Sequence, residues 1–130
     1  MASILKVDAL QGVTAAGSIL VTGEGNSTTT NLQQGLAKAW LEGSDAAVPQ
    51  DSFNIASGTD AGTGSYTYAL TNDMVSRNYS ITVSCHSVCV GLTNNDSQQT
   101  SSINVSLFLK SSLGSRSDRP NYAVVMGDLA

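Results

Sequence analysis

The chain has 130 residues, of which 41% are hydrophobic, 12% are charged and 5% are aromatic, and its formal net charge is −4. Its length and apolar content suit one domain with one core, and its charged residues are about half as frequent as in average proteins. We expect no nucleic-acid partner, because the sequence has no basic stripe. We also expect no membrane partner, because no apolar run approaches the roughly 20 residues of a membrane span.

The first 35 residues contain too few apolar side chains to form a core of their own. Residues 4–7 and 18–22 look like short extended segments, and residues 23–31 contain no apolar residue, which is typical of a loop. We therefore divide the chain into an extended N-terminal arm and linker, residues 1–35, and a β body, residues 36–130. Lys6 and Asp8 interrupt the apolar start, so we see no signal peptide and expect folding in a cytoplasm.

An arm of this kind can be ordered by its own body, by a sister subunit or by a larger assembly. The candidate attachment residues are apolar side chains in the arm and at its junction with the body: Ile4, Leu5, Val7, Leu10, Leu36 and Trp40. The alternative interpretation is that these residues complete the sheet of the body itself.

The first half of the body predicts a short turn, a strand ending near residue 41, and then a hairpin. We expect Phe53 and Ile55 to point inward from a strand over residues 52–57, which pairs with residues 65–70. Asp and Gly in residues 59–64 are typical of the connecting turn.

The second half alternates more clearly. Residues 79–85 and 103–109 each place apolar side chains on one face and mostly polar ones on the other, which indicates half-buried strands. The apolar parity shifts after Cys85, which predicts a bulge or turn near His86. Residues 93–102 and 111–121 are predicted to be polar loops. Residues 122–127 are apolar on nearly both faces, so we expect a central strand or one that a partner covers.

About six or seven strands at this spacing predict an all-β fold. The body is expected to be an antiparallel β-sandwich or to resemble a jelly roll.

Few residues could perform chemistry. The aspartates at 51, 60, 73, 96 and 118 all fall in turn contexts, and His86 has no neighbouring nucleophile pattern. Cys85 and Cys89 are most simply two small buried thiols, with a disulfide across a tight turn as the alternative. A metal site would need more ligands than these two and His86. We predict no catalytic residue, no metal and no cofactor.

Several stretches resemble a small β domain found in structural proteins of tailed-bacteriophage virions, of the tail-fibre or capsid-decoration type. In the body, the resemblance rests on residues 36–40, 51–57, 60–66, 70–74 and 78–79, and in the N-terminal half on residues 4–8 and 23–35. These are turn and packing residues, so the resemblance carries no catalytic residues across. The region of Cys85 and Cys89 departs from the pattern.

The resemblance implies a component of a virion, assembled in the host cytoplasm and displayed as several copies, often a homotrimer. The expected function is a non-enzymatic structural protein, a capsid decoration (cement) protein or short surface fibre, with phage capsid or tail proteins as partners. The alternative is a tail-fibre knob that binds a host receptor or surface glycan. Its contact candidates would be Arg116, Asp118, Arg119 and Tyr122.

Overall fold

The computed structural model describes residues 4–12, 19–22, 29–93 and 98–130. The chain divides into two compact units, Met1–Leu36 and Ala37–Ala130. The first unit contains a short antiparallel hairpin of β1 (Leu20–Thr22) and β2 (Thr29–Asn31), followed by a single helical turn, α1 (Leu32–Gly35). The backbone N–H of Leu32 donates to the carbonyl of Ile19 and ties this turn to the hairpin.

The first unit corrects one expectation about the linker. Residues 29–31 were expected to be loop, but they form β2, and their β-branched threonines fit an extended strand well. Residues 23–28 and residue 18 lie outside the described part of the chain. Ile4–Val7 belongs to no strand or helix among the described residues.

The second unit is all-β, with antiparallel sheets packed together, which confirms the predicted fold class. The described residues form nine strands here: β3 (Ala39–Gly43), β4 (Pro49–Phe53), β5 (Ile55–Asp60), β6 (Ser65–Leu70), β7 (Ser80–Cys85), β8 (Cys89–Leu92), β9 (Ser102–Leu109), β10 (Ser112–Arg116) and β11 (Asn121–Met126).

These strands form two sheets. Sheet I has the order β4-β3-β11-β7, and sheet II contains β5, β6, β9, β10 and β8. In sheet II, β9 pairs with β6 through its first half, while its second half pairs with both β8 and β10. In sheet I, β11 lies between β3 and β7, so the prediction of a central last strand is confirmed.

The core lies between the inner faces of the two sheets. Sheet I contributes Ala39, Leu41, Ala123 and Val125, and sheet II contributes Tyr66, Tyr68, Leu70, Ile103, Val105 and Leu107. The alternation predicted for residues 79–85 is confirmed, because Tyr79, Ile81, Val83 and Cys85 pack against this core. The predicted turn after Cys85 is also present, and there the chain passes from sheet I to sheet II.

Two predictions within the body are wrong. Residues 52–57 are not one strand, because Asn54 adopts φ 60° and divides β4 from β5, so Phe53 points outward and is half exposed. Residues 112–116 are not loop, because they form β10, which returns along β9 after the turn at Lys110 and Ser111. The serines in this segment led to the loop prediction, although the segment forms a strand that pairs at the edge of the sheet.

Candidate assembly surfaces

The arm presents its large apolar side chains to solvent. Ile4 and Leu5 are 80% and 78% exposed, and Val7 and Leu10 are 56% and 58% exposed. Among residues 4–12, 19–22, 29–32, 35 and 36 none is buried, and Leu36 is exposed. These residues therefore present apolar side chains to solvent, a feature that is common in segments that contact a partner.

Trp40, the other attachment candidate, lies on the outer face of sheet I. It is paired in register with Phe53 on β4 and with Val124 on β11. These three side chains, which we call the aromatic row, are between 38% and 50% exposed. Directly paired residues on one face of a sheet have Cβ atoms about 5 Å apart, so the row is a continuous apolar strip across three strands.

A second row lies beside the first on the same face. Glu42 is paired with Asp51 on one side and with Tyr122 on the other, and all three are exposed. We call Glu42 and Asp51 the acidic pair. One oxygen of Asp51 already accepts a hydrogen bond from the backbone N–H of Ser52, at 2.8 Å. Like charges directly opposite each other in a sheet are destabilising, so this pair favours a cation nearby.

The four receptor-contact candidates lie on strands of both sheets and in the connection between them. Arg116 lies at the end of β10 in sheet II, with its guanidinium carbon 5.2 Å from the centre of the Phe108 ring. Tyr122 lies on the outer face of sheet I. Asp118 and Arg119 lie in the connection between β10 and β11.

Asp118 and Arg119 take part in hydrogen bonds that hold the end of the β5–β6 hairpin. The Oδ1 atom of Asp118 accepts from the backbone N–H of Gly64 at 2.6 Å and lies 3.3 Å from the Tyr66 hydroxyl. That hydroxyl accepts from the backbone N–H of Arg119 at 3.1 Å. Burial, with the negative charge of Asp118 as a lesser cause, raises the pKa of Tyr66 to about 12.

The two cysteines form a disulfide, so the favoured expectation of reduced thiols is wrong. Ser87 has φ 73° in the turn between them, and the turn brings the Cα atoms of Cys85 and Cys89 to 6.1 Å, within the range that a disulfide requires. The bond joins the end of β7 in sheet I to the start of β8 in sheet II. His86 is exposed beside it.

The described residues contain no group of three or more His, Cys, Asp or Glu side chains placed to hold a metal ion. They also contain no helix with the length and apolar character needed to cross a membrane.

Trp40 could be selected from the sequence, but the sheet face on which it lies could not. The signal for that face was the scarcity of aromatics: the chain has seven, and three of them, Trp40, Phe53 and Tyr122, are exposed on the outer face of sheet I. Comparisons with protein-family models, with curated proteins and with solved structures found no match.

Proposed function

We propose that this chain is a non-enzymatic structural component of a tailed-phage virion, a capsid decoration protein or short surface fibre that acts through assembly contacts as a homotrimer. The exposed apolar arm carries the proposal, because four large aliphatic side chains in residues 4–12 lie in water while the body has a core of its own. Burying them against a partner would release about 25 cal/mol for each Å² of apolar surface removed from water.

The low charge of the chain supports the same function. Only 12% of its residues are charged, so few ionic groups lose water when its surface packs against a neighbour. The resemblance of the turn and packing residues to virion structural domains is the reason for proposing a phage virion as the assembly. Two of the four receptor-contact candidates, Asp118 and Arg119, already hold the end of the β5–β6 hairpin through hydrogen bonds, so we favour the assembly function over the receptor-binding alternative.

The proposal is tested by adding the purified chain back to phage particles that lack it. The full chain should load onto the particles, and a chain without residues 1–12 should not, although its thermal unfolding stays the same because the core residues all lie in the second unit. The number of copies bound is measured by quantitative mass spectrometry of washed particles.

A variant of unchanged length separates apolar contact from arm length. Ile4, Leu5, Val7 and Leu10 are all replaced by Ser, and the matched control carries Ala9→Ser and Gln11→Ser in the same segment. We expect the fourfold variant to lose loading and the control to keep it. Full loading by the truncated chain or by the fourfold variant would contradict the arm's role, and absence of loading by the full chain would contradict the function.

A further inference from the structure

The outer face of sheet I has the features of a surface that takes up an apolar segment with a positive charge. The aromatic row offers apolar contact, and the acidic pair lies in the next row, two residues along the same strands. Successive residues on one face of a strand are about 6.7 Å apart. The face therefore presents an apolar strip and a negative strip at that separation.

A second copy of the same face is a poor occupant. Two copies packed face to face would bring both acidic pairs into one interface, and four carboxylates would lose water without a cation. The occupant must instead carry apolar side chains together with a positive charge.

The arm has this pattern at the required spacing. Ile4 and Lys6 are two residues apart, so in an extended chain they point to the same side and are also about 6.7 Å apart. Ile4 is 80% exposed and Lys6 is exposed as well. Asp8 follows at the same spacing and would lie beyond the acidic pair, on the side away from the aromatic row.

We propose that the outer face of sheet I binds the Ile4–Val7 segment of a second copy of this chain. Ile4 lies over the aromatic row, and Lys6 lies between the carboxylates of Glu42 and Asp51. The inference rests on the proposed assembly function and names the partner of the arm. Such a contact is head-to-tail, so three copies related by rotation can close a ring without leaving a face open.

The test is a charge exchange measured by sedimentation of the purified full chain. Lys6→Glu in the arm, or Glu42→Lys together with Asp51→Lys on the face, should each reduce the mass to that of one chain. The exposed Lys110, in the turn between β9 and β10, supplies the control: Lys110→Glu should leave the assembled mass unchanged. Thermal unfolding of each variant verifies that it is folded.

Mixing the two failing variants makes the test specific to contact between copies. The arm of the Lys6→Glu variant is negative and can bind the face on which Glu42 and Asp51 have been replaced by Lys. The arm of that face variant keeps Lys6 and can bind the unaltered acidic face of the Lys6→Glu variant. In a ring of three, two of the three contacts are then matched and the third pairs like charges, so the mixture should associate more weakly than the parent chain, although each variant alone does not associate. A contact within one chain cannot produce this result.

Other outcomes overturn the inference. These are a full chain that sediments as one copy at its solubility limit, charge variants that keep the assembled mass, or a mixture that stays monomeric. The milder variants Glu42→Gln and Asp51→Asn, which keep shape, should weaken association at low salt, and their failure to do so would also count against the inference. A chain that is monomeric in solution and still loads onto particles through its arm would refute this inference and leave the proposed attachment of the arm to the particle standing.

Discussion

At the residue scale, one buried hydrogen bond joins the two sheets. The hydroxyl of Tyr68 on β6 donates to Oδ1 of Asn121 on β11 at 3.0 Å, and Asn121 is 0% exposed. Its Nδ2 lies 3.5 Å from the carbonyl of Ser44 and 3.4 Å from that of Arg119. The Asn121 side chain thus meets one partner in sheet II, Tyr68, and two outside the strands, Ser44 directly after β3 and Arg119 shortly before β11.

We expect Tyr68→Phe to lower the free energy of unfolding by about 1–3 kcal/mol, because it leaves the buried oxygen of Asn121 without a donor. Tyr122→Phe is the control, since its ring is exposed, and it should change stability by less than about 0.5 kcal/mol. Urea unfolding followed by fluorescence of Trp40 measures both. Equal stabilities for the two variants would show that the hydrogen bond does not stabilise the core.

Asn54 is the residue at which the chain leaves sheet I for sheet II. It has φ 60°, a region that side chains other than Asn, Asp and Gly disfavour. Its Nδ2 donates to the carbonyls of Lys38 and Asn72 at 3.0 and 3.1 Å, and its Oδ1 accepts from the backbone N–H of Asn72 at 2.7 Å. The side chain therefore fixes the corner that its backbone makes.

Two substitutions at Asn54 separate these contributions. Asn54→Gly keeps the backbone conformation and loses the hydrogen bonds, whereas Asn54→Ala loses the bonds and also adds backbone strain of about 1–2 kcal/mol. We therefore expect Ala to be less stable than Gly, and both to be less stable than the parent chain in urea unfolding. If Ala equalled Gly, the positive φ would carry no cost.

At the scale of the elements, the clear alternation of residues 79–85 and 103–109 made those strands predictable, because one face of each meets the core. Phe53 was placed wrongly because apolar character alone does not reveal that Asn54 reverses the parity of the chain. Strand β10 was missed because its pairing with β9 depends on a partner that is close in space and not on its own serines. The outer face of sheet I needed the register of β3, β4 and β11, which no local pattern contains.

The disulfide belongs to this scale, since it fastens β7 to β8 where the chain changes sheets. The residues are four apart, and chain entropy for so short a loop corresponds to about 2 kcal/mol. We expect the Cys85→Ala and Cys89→Ala double variant to have a free energy of unfolding lower by about that amount, and therefore to unfold at a lower urea concentration.

Reduction gives an independent measure of the same bond. A reductant should destabilise the parent chain to the level of the double variant, and it should leave the double variant unchanged. If reductant lowered the stability of both chains equally, the effect would not come from this bond.

At the scale of the whole molecule, three core-facing tyrosines connect folding to alkaline pH. Burial raises the pKa of Tyr66 to about 12 and raises the pKa values of Tyr68 and Tyr79 above their usual 10. Unfolded tyrosines release their protons near pH 10, while the folded chain still holds them. Their contribution to stability is therefore complete below pH 10 and is lost at higher pH, for Tyr66 as the pH rises toward its pKa of about 12.

We expect the urea concentration at the unfolding midpoint to decrease as the pH rises from 10 to 12. This is the same pH range in which unfolding should produce tyrosinate absorbance. Tyr66→Phe should flatten this decline, whatever it does to stability at neutral pH. Tyr122→Phe, which alters an exposed ring, should leave the slope as in the parent chain. A midpoint that stays constant over this pH range would contradict the retention of these protons in the fold.

The pairing of β3 with β11 sets the order in which the body can be completed. Ala39 is joined in register to Val125, close to the opposite end of the chain. On a translating ribosome, β3 and β4 emerge early as a hairpin and must wait for nearly all later residues before their sheet acquires its middle strand. In a nascent chain stalled before residue 121, the β3–β4 hairpin and β7 would not be joined, and the apolar face of each would remain exposed to solvent. Such a chain would be a natural substrate for chaperones.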